Sequence, residues 1–457
     1  MQPQPVRTAP EPLRRRIRPR RVAVLVSVTA LTFAVSTSAG TGRLDPGLAL
    51  GPTRAGAGPI SLGRTAGLAP CMIRGGTSVQ MSEGLPTPGG YARSTGTVRA
   101  LTLMVDFSDA PGRGTALDRY REFFPQTEHW FRTASYGRLD YRSETPIRHW
   151  LRMPKTFRAY GIERGAPFDP GYRRLVQDIV AAADPSVDFR SYDLLNVLVT
   201  PNAGPSALDT VLSVTFAGNT EAPVADGVTV ANASFVYSRQ DDGSGSYGRT
   251  GYRVLPHENG HVFGLPDLYT QDGGAAVGHW DIMSEDWGAN NDLLGWHKWK
   301  LGWLAPRQVV CVRKAGPTRL TLEPLGAGPG VPVTGTSGAP AFGLGDGAKL
   351  AVVRTGPDSV LAFEARGPLG NDRAACRSGI LVYRISGDAQ SGRGPVEVID
   401  AHPRTEACWE SSVYPPLADA PVALGENFTV PGTGVRVQAE GRTPTGAWNV
   451  KITLPRV

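Results

Sequence analysis

HENGHVFGLPDLY, residues 257–269, is the stretch from which the rest of the chain is read. Four residues of an α-helix turn about 400°, so His257 and His261 project from one face, one turn apart, and can reach a single metal ion. Glu258 is displaced by about 100° round the helix, a position suited to holding a water rather than the metal. Neutral imidazole suits Zn²⁺, at about 2.0–2.1 Å, and a catalytic zinc keeps three protein ligands with the fourth position left for water. The third ligand must come from beyond the helix. Gly264 can turn the chain where the helix ends, and Asp267 follows it in the spacing H-E-x-x-H-x-x-G-x-x-D. Asp267 is the first choice; Glu285 and His279, on a later segment, are its rivals. Pro256 directly precedes the first histidine, and proline inside a helix removes a hydrogen bond. The conflict is mild if the helix starts near residues 250–253, which predicts a short helix over about 252–264.

Downstream, GHWDIMSEDWG (278–288) places Met283 in a turn-rich segment 22 residues beyond His261. A lone methionine is ordinarily core, but in zinc sites of this long spacing one forms an apolar floor beneath the histidines. In LLGWHKWKLGW (293–303), Trp296, Trp299 and Trp303 fall at helical spacing, which reads as a stripe packed into a core, with His297 structural. Tyr269 and His279 are near enough in sequence to assist at a developing oxyanion, a role the sequence leaves unassigned.

The chain has 457 residues, enough for two or three domains, with 56 glycines and 39 prolines that favour strands and loops over long helices and exclude a coiled coil. TVRALTLMVDF (97–107) alternates like a buried strand, residues 117–135 have helical spacing interrupted by Pro125, RRLVQDIVAAA (173–183) is amphipathic, and LLNVLVT (194–200) is a continuous apolar run suited to a central strand. Beyond residue 306 short β-branched runs recur at 318–325, 349–355, 359–365, 379–385, 395–401, 434–441 and 449–454, between Gly- and Pro-rich turns, which predicts an antiparallel sandwich. The organisation that follows is a signal peptide over 1–39, a linker or pro-segment over 40–95, a catalytic domain over 96–305 and a β-rich domain over 306–457.

The formal charge of +7 invites a nucleic-acid reading until its location is considered. Residues 1–40 hold seven arginines against Glu11, residues 41–95 add about +3, and residues 96–457 come to about −2, so the predicted enzyme is near neutral and nucleic acid drops out as a partner. The arginines precede the 14-residue apolar run VAVLVSVTALTFAV (22–35) and the small residues of STSAG, the pattern of a secretory signal peptide, with cleavage expected after Ala39. The run is shorter than the roughly 20 residues of a membrane span, so no stable anchor is expected. Four cysteines in an exported protein predict two disulfides, Cys376–Cys408 closing a local loop and Cys71–Cys311 tying the N-terminal segment to the rest.

HENGHVFGLPDLY, WDIM and GWHKWKLGW, in this order and spacing, resemble the immune inhibitor A family of secreted bacterial metallopeptidases, the M6-type zinc endopeptidases. The likeness is dense over 250–303 and extends over about 97–305, where SYGRLDY (135–141) and YDLLNVLVT (192–200) also fit. It implies an α+β fold with a zincin-type catalytic domain, one catalytic Zn²⁺ on His257, His261 and Asp267, Glu258 as general base, and often stabilising Ca²⁺. RQDDGSG (239–245) and the cluster of Asp286, Asn290, Asn291 and Asp292 offer oxygen ligands for calcium, though neither has EF-hand spacing. Pro256 departs from the family pattern, and residues 41–95 are short for its pro-segment. The expectation is a monomeric, secreted endopeptidase acting on protein or peptide substrates. The alternative from another class is a secreted protein that binds a polymer or cell surface and keeps a structural zinc. A third reading makes Cys71 a thiolate that caps the zinc of a latent precursor.

Overall fold

Along strand β1 (Gly96–Asp106), Val98, Ala100 and Met104 belong to one buried cluster and Leu101, Leu103 and Val105 to another. Side chains of a strand alternate between its faces, so β1 lies in a sheet covered on both sides. The protein is described by a computed structural model over residues 67–456, apart from 77–78, 80, 163–167, 202, 204–212, 238–250, 271–273, 275, 287–290, 330–332, 335–339, 342–343, 406–407 and 409–416. The expected signal peptide and the calcium candidate at 239–245 lie outside the described residues.

Helix α1 (Ala116–Arg121) follows β1, opened by a reciprocal cap between Thr115 and Asp118. Pro125 then separates it from α2 (Gln126–Ala134), so the interrupted pattern over 117–135 resolves into two helices. Strands β2 (Leu139–Glu144) and β3 (Leu151–Arg152) and the single turn α3 (Phe157–Tyr160) lead to α4 (Pro170–Ala183), where Asp169 accepts hydrogen bonds from the amides of Gly171 and Tyr172. Next come β4 (Leu194–Val199), β5 (Ser213–Phe216), the small hairpin of β6 (Val224–Ala225) with β7 (Val228–Thr229), and β8 (Ala233–Val236). The main sheet runs β2-β1-β4-β8-β5, with β3 also on β1; β5 is an edge strand and pairs antiparallel to β8, while the other pairings are parallel. On one face α4 buries Leu175, Val176, Ile179 and Val180. On the other lie α2, α5 (Val254–Val262) and α6 (Gly295–Lys300), with α5 over β5 and β8.

The strands of the C-terminal part are β9 (Val309–Cys311), β10 (Gly316–Leu322), β11 (Val333–Thr334), β12 (Pro340–Ala341), β13 (Leu350–Arg354), β14 (Ser359–Arg366), β15 (Gly379–Ser386), β16 (Val396–Val398), β17 (Asn427–Thr429), β18 (Arg436–Arg442) and β19 (Trp448–Leu454). Two sheets, β16-β15-β14-β13-β9 and β10-β19-β18-β17, share an apolar core that includes Leu361, Phe363, Val382, Val437 and Val450. The predicted β-runs thus fall in strands, with one exception to antiparallel pairing: β9 runs parallel to β13.

The inner sheet is buried on its second face as well. Leu350, Val352, Val360, Ala362, Leu381, Tyr383 and Ile385 pack into the same cluster as Leu255 of α5 and Trp296 of α6. A boundary at 305/306 therefore runs through a shared core. Ionic contacts reinforce it: buried Arg366 reaches Glu364 at 2.8 Å, Asp372 at 2.7 Å from Nε, and the carbonyl of Trp280 at 3.0 Å, while Glu364 accepts from the amide of Gly295 at 2.7 Å.

Residues 67–95, within the stretch expected to be a linker or pro-segment, pack against the rest of the chain at several described positions. Cys71, Ile73 and Glu83 have no exposed surface, and Cys71 is disulfide-bonded to Cys311. The segment lacks periodicity because it is buried by separate anchors, Ile73 and Leu85 in the apolar core and Glu83 against His297, rather than by one face of a helix or strand. Cys376 pairs with Cys408, so both expected disulfides are present and Cys71 is no free thiolate. Among the described residues no helix is long and apolar enough to cross a membrane.

Candidate metal centre

The histidine helix is entered through a 3₁₀ turn, Gly251–Arg253, and α5 starts at Val254. Pro256 is therefore the third helical residue, where the amide has no intrahelical partner in any case, so the proline removes no helix hydrogen bond. At the other end the Leu265 amide donates to the Gly260 carbonyl (3.0 Å) and the Gly264 amide to that of His261 (2.9 Å), with Gly264 at φ +88°. This paired C-terminal cap requires a left-handed residue, which glycine adopts without a Cβ clash. It ends the helix at Val262, two residues earlier than expected, and turns the chain so that Asp267 comes back toward the histidines.

Nδ1 of His257 lies 2.8 Å from the Ile282 carbonyl and Nδ1 of His261 lies 2.8 Å from the Leu265 carbonyl. A carbonyl only accepts, so each Nδ1 carries its proton and each Nε2 is directed elsewhere. Both Nε2 atoms meet Oδ1 of Asp267, at 3.3 Å from His257 and 3.1 Å from His261. Their ligand atoms lie within 4.8 Å of one another, the only group of three or more metal-ligating side chains among the described residues. Glu285 and His279, both buried, do not join it. Met283 packs beneath the helix: a Cβ on Gly260 would lie 2.4 Å from its Sδ, which explains the glycine between the two histidines.

Oδ1 of Asp267 is buried and makes no hydrogen bond of acceptable geometry. An orphaned carboxylate oxygen facing two imidazole nitrogens is what a cation would satisfy, so the residues fit a divalent metal. The electrostatics agree. Burial opposes a charged His257, yet Asp267, Asp286 and Glu258 outweigh it and lift its pKa to about 10; His261 is raised likewise, its burial outweighed mainly by Asp267. Burial raises the Asp267 carboxyl, but the two imidazoles hold it well below the usual carboxylate range. Both directions favour positive charge beside Asp267.

Glu258 is oriented by a residue that sequence spacing could not find. The Thr215 hydroxyl, on edge strand β5, lies 2.6 Å from Oε2 of Glu258 and 2.9 Å from Ser234 Oγ. Ser234 in turn accepts from Asn259 Nδ2 (3.1 Å), which also donates to Asn196 (3.0 Å), while the Tyr141 hydroxyl donates to Asn259 Oδ1 (2.7 Å). This buried chain of polar groups fixes α5 to β2, β4 and β8 beside the carboxylate. Tyr269 lies parallel to the His257 ring at 6.5 Å, and burial together with Asp267 and Glu258 holds its phenol well above the usual pKa, hence neutral.

Ser391, in the loop between β15 and β16, is likewise beyond the reach of sequence spacing. Its hydroxyl donates to Oδ2 of Asp267 at 2.9 Å and accepts the Asp267 amide at 2.8 Å. Of the oxygen cluster suggested for calcium, Asp292 is engaged by Lys298 Nζ at 2.8 Å, Asn291 donates to the Glu285 carbonyl at 3.0 Å, and Asn290 lies outside the described residues. No protein-family model matches the chain, and no curated protein matches it significantly.

Proposed function

We propose that this chain is a secreted zinc endopeptidase of zincin type, hydrolysing peptide bonds of protein substrates. The observation that carries the reading is the convergence of His257, His261 and Asp267 on one point, with the Glu258 carboxylate on the same helix next to the first histidine. Two imidazoles and a carboxylate are a donor set that suits Zn²⁺ and leaves a position open. Bound there, zinc would polarise a substrate carbonyl and make an attacking water more acidic. Glu258, held by Thr215, would take the proton of that water and pass it to the leaving amine. The neutral phenol of Tyr269 is a candidate donor to the developing oxyanion.

Support for the zincin reading comes from the placement of α5 across a mixed sheet beside its antiparallel edge strand β5. Support for secretion comes from the arginine-flanked apolar run at 22–35 and the two disulfides. A binding protein with a closed structural zinc would need four protein ligands, whereas three converge among the described residues. The test is incubation of the purified protein with a peptide library, with and without a zinc chelator. Cleavage that the chelator abolishes and added zinc restores is expected; an inert protein that holds stoichiometric zinc would favour the binding reading.

A further inference from the structure

The loop between β15 and β16 leaves the C-terminal sheet and lies along the segment that carries Asp267. Ser391 Oγ meets the Asp267 amide at 2.8 Å and its Oδ2 at 2.9 Å, and the Gly392 amide donates to the Asp267 carbonyl at 3.1 Å. Arg393 and Thr270 form an antiparallel bridge just beyond. The loop is itself clamped from behind: the Gly76 amide donates to the Gly387 carbonyl at 3.2 Å, and the Gly387 amide to that of Asp358 at 2.8 Å. Two parts of the chain far apart in sequence thus meet at the Asp267 carboxylate, and the segment at Gly76 holds the loop from behind.

The consequence is chemical. An aspartate offers two equivalent oxygens and can bind a cation through one or both. Here Oδ2 accepts the Ser391 hydroxyl, while Oδ1 is buried, makes no hydrogen bond and faces both Nε2 atoms. We propose that Ser391 is a positioning residue of the metal centre: its hydroxyl occupies Oδ2 of Asp267 and so presents that residue as a one-oxygen ligand through Oδ1. The C-terminal β-part would then belong to the centre. This inference rests on the reading of His257, His261 and Asp267 as metal ligands.

The test uses the full chain as wild type, Ser391→Ala, Ser391→Thr and His257→Ala, each stripped of metal and titrated with Zn²⁺ against a chromogenic chelator. Cobalt spectra and metal-free unfolding midpoints are recorded in parallel. Losing an outer hydrogen-bond partner of a ligand should weaken zinc about 10- to 100-fold in Ser391→Ala. The same variant should alter the cobalt spectrum, whereas Ser391→Thr, which keeps the hydroxyl, stays close to wild type in both. Wild-type affinity and spectrum in Ser391→Ala, with zinc lost in His257→Ala, would overturn the role of Ser391 and leave the metal site standing. Equal losses in the alanine and threonine variants, matched by equal drops in metal-free midpoint, would also overturn it. Undiminished zinc binding by His257→Ala would overturn the site and the inference together.

Discussion

Glu83 Oε1 and His297 Nε2 lie 2.9 Å apart, both side chains without exposed surface, and the other ring nitrogen of His297 is 2.7 Å from Oδ2 of Asp281. The histidine is therefore the cation between two buried carboxylates, one of them on the N-terminal segment. Burial disfavours its charge, but Asp281 and Glu83 outweigh that cost and raise its pKa to about 10.

A pH dependence of stability follows. The folded pKa lies above the unfolded value of about 6.5, so the contribution is fully present below pH 6.5 and lost as pH rises through about 10. Replacing His297 by Gln leaves two buried acids without their cation and should cost about 3–5 kcal/mol at neutral pH. Denaturant unfolding of the metal-free protein from pH 6 to 10 should show a fall in stability in the wild type that Glu83→Gln makes shallower. Parallel profiles in the two proteins would count against the ion pair.

Thr215→Val removes the donor to Glu258 while keeping the side-chain shape. A hydrogen bond to a charged group is worth about 1.5–3 kcal/mol, so kcat/KM should fall about 10- to 100-fold with zinc content unchanged. Thr215→Ser should recover most of the rate. Steady-state kinetics with metal analysis decides, and loss of zinc from Thr215→Val would mean that the residue serves the fold instead.

Gly264→Ala places a Cβ on a residue at φ +88° and 2.5 Å from Cγ2 of Thr87. The left-handed conformation alone should cost about 1–2 kcal/mol, and the return of Asp267 toward the histidines should be disturbed. Equilibrium unfolding and zinc titration should therefore both move.

How far these features are legible in the sequence depends on whether they are local. The short β-branched runs at 359–365 and 379–385 predict β14 and β15, because a strand buried on both faces is apolar at successive positions wherever its partners come from. His257, Glu258 and His261 are legible because one helix turn brings them together, and Asp267 because a glycine cap returns the chain over a few residues. Thr215 and Ser391 are not, since each reaches its carboxylate only after sheets have formed, 43 and 124 residues away in sequence. The burial of residues 67–95 is not legible for the same reason: their anchors, Cys71, Ile73 and Glu83, show no period.

The two disulfides should differ in worth. Cys71–Cys311 spans 240 residues and Cys376–Cys408 spans 32. On chain-entropy grounds the longer loop should stabilise by about 2 kcal/mol more. Paired alanine variants compared by denaturant unfolding under non-reducing conditions measure the difference, and a larger loss from the 376–408 pair would contradict it.

The most direct measurement is zinc content and peptide cleavage of Glu258→Gln beside the wild type. Glu258 is assigned to the water and proton, not to the metal, so the variant should retain one zinc per chain while cleavage falls by several orders of magnitude. A variant that keeps its zinc and still cleaves at the wild-type rate would contradict the account.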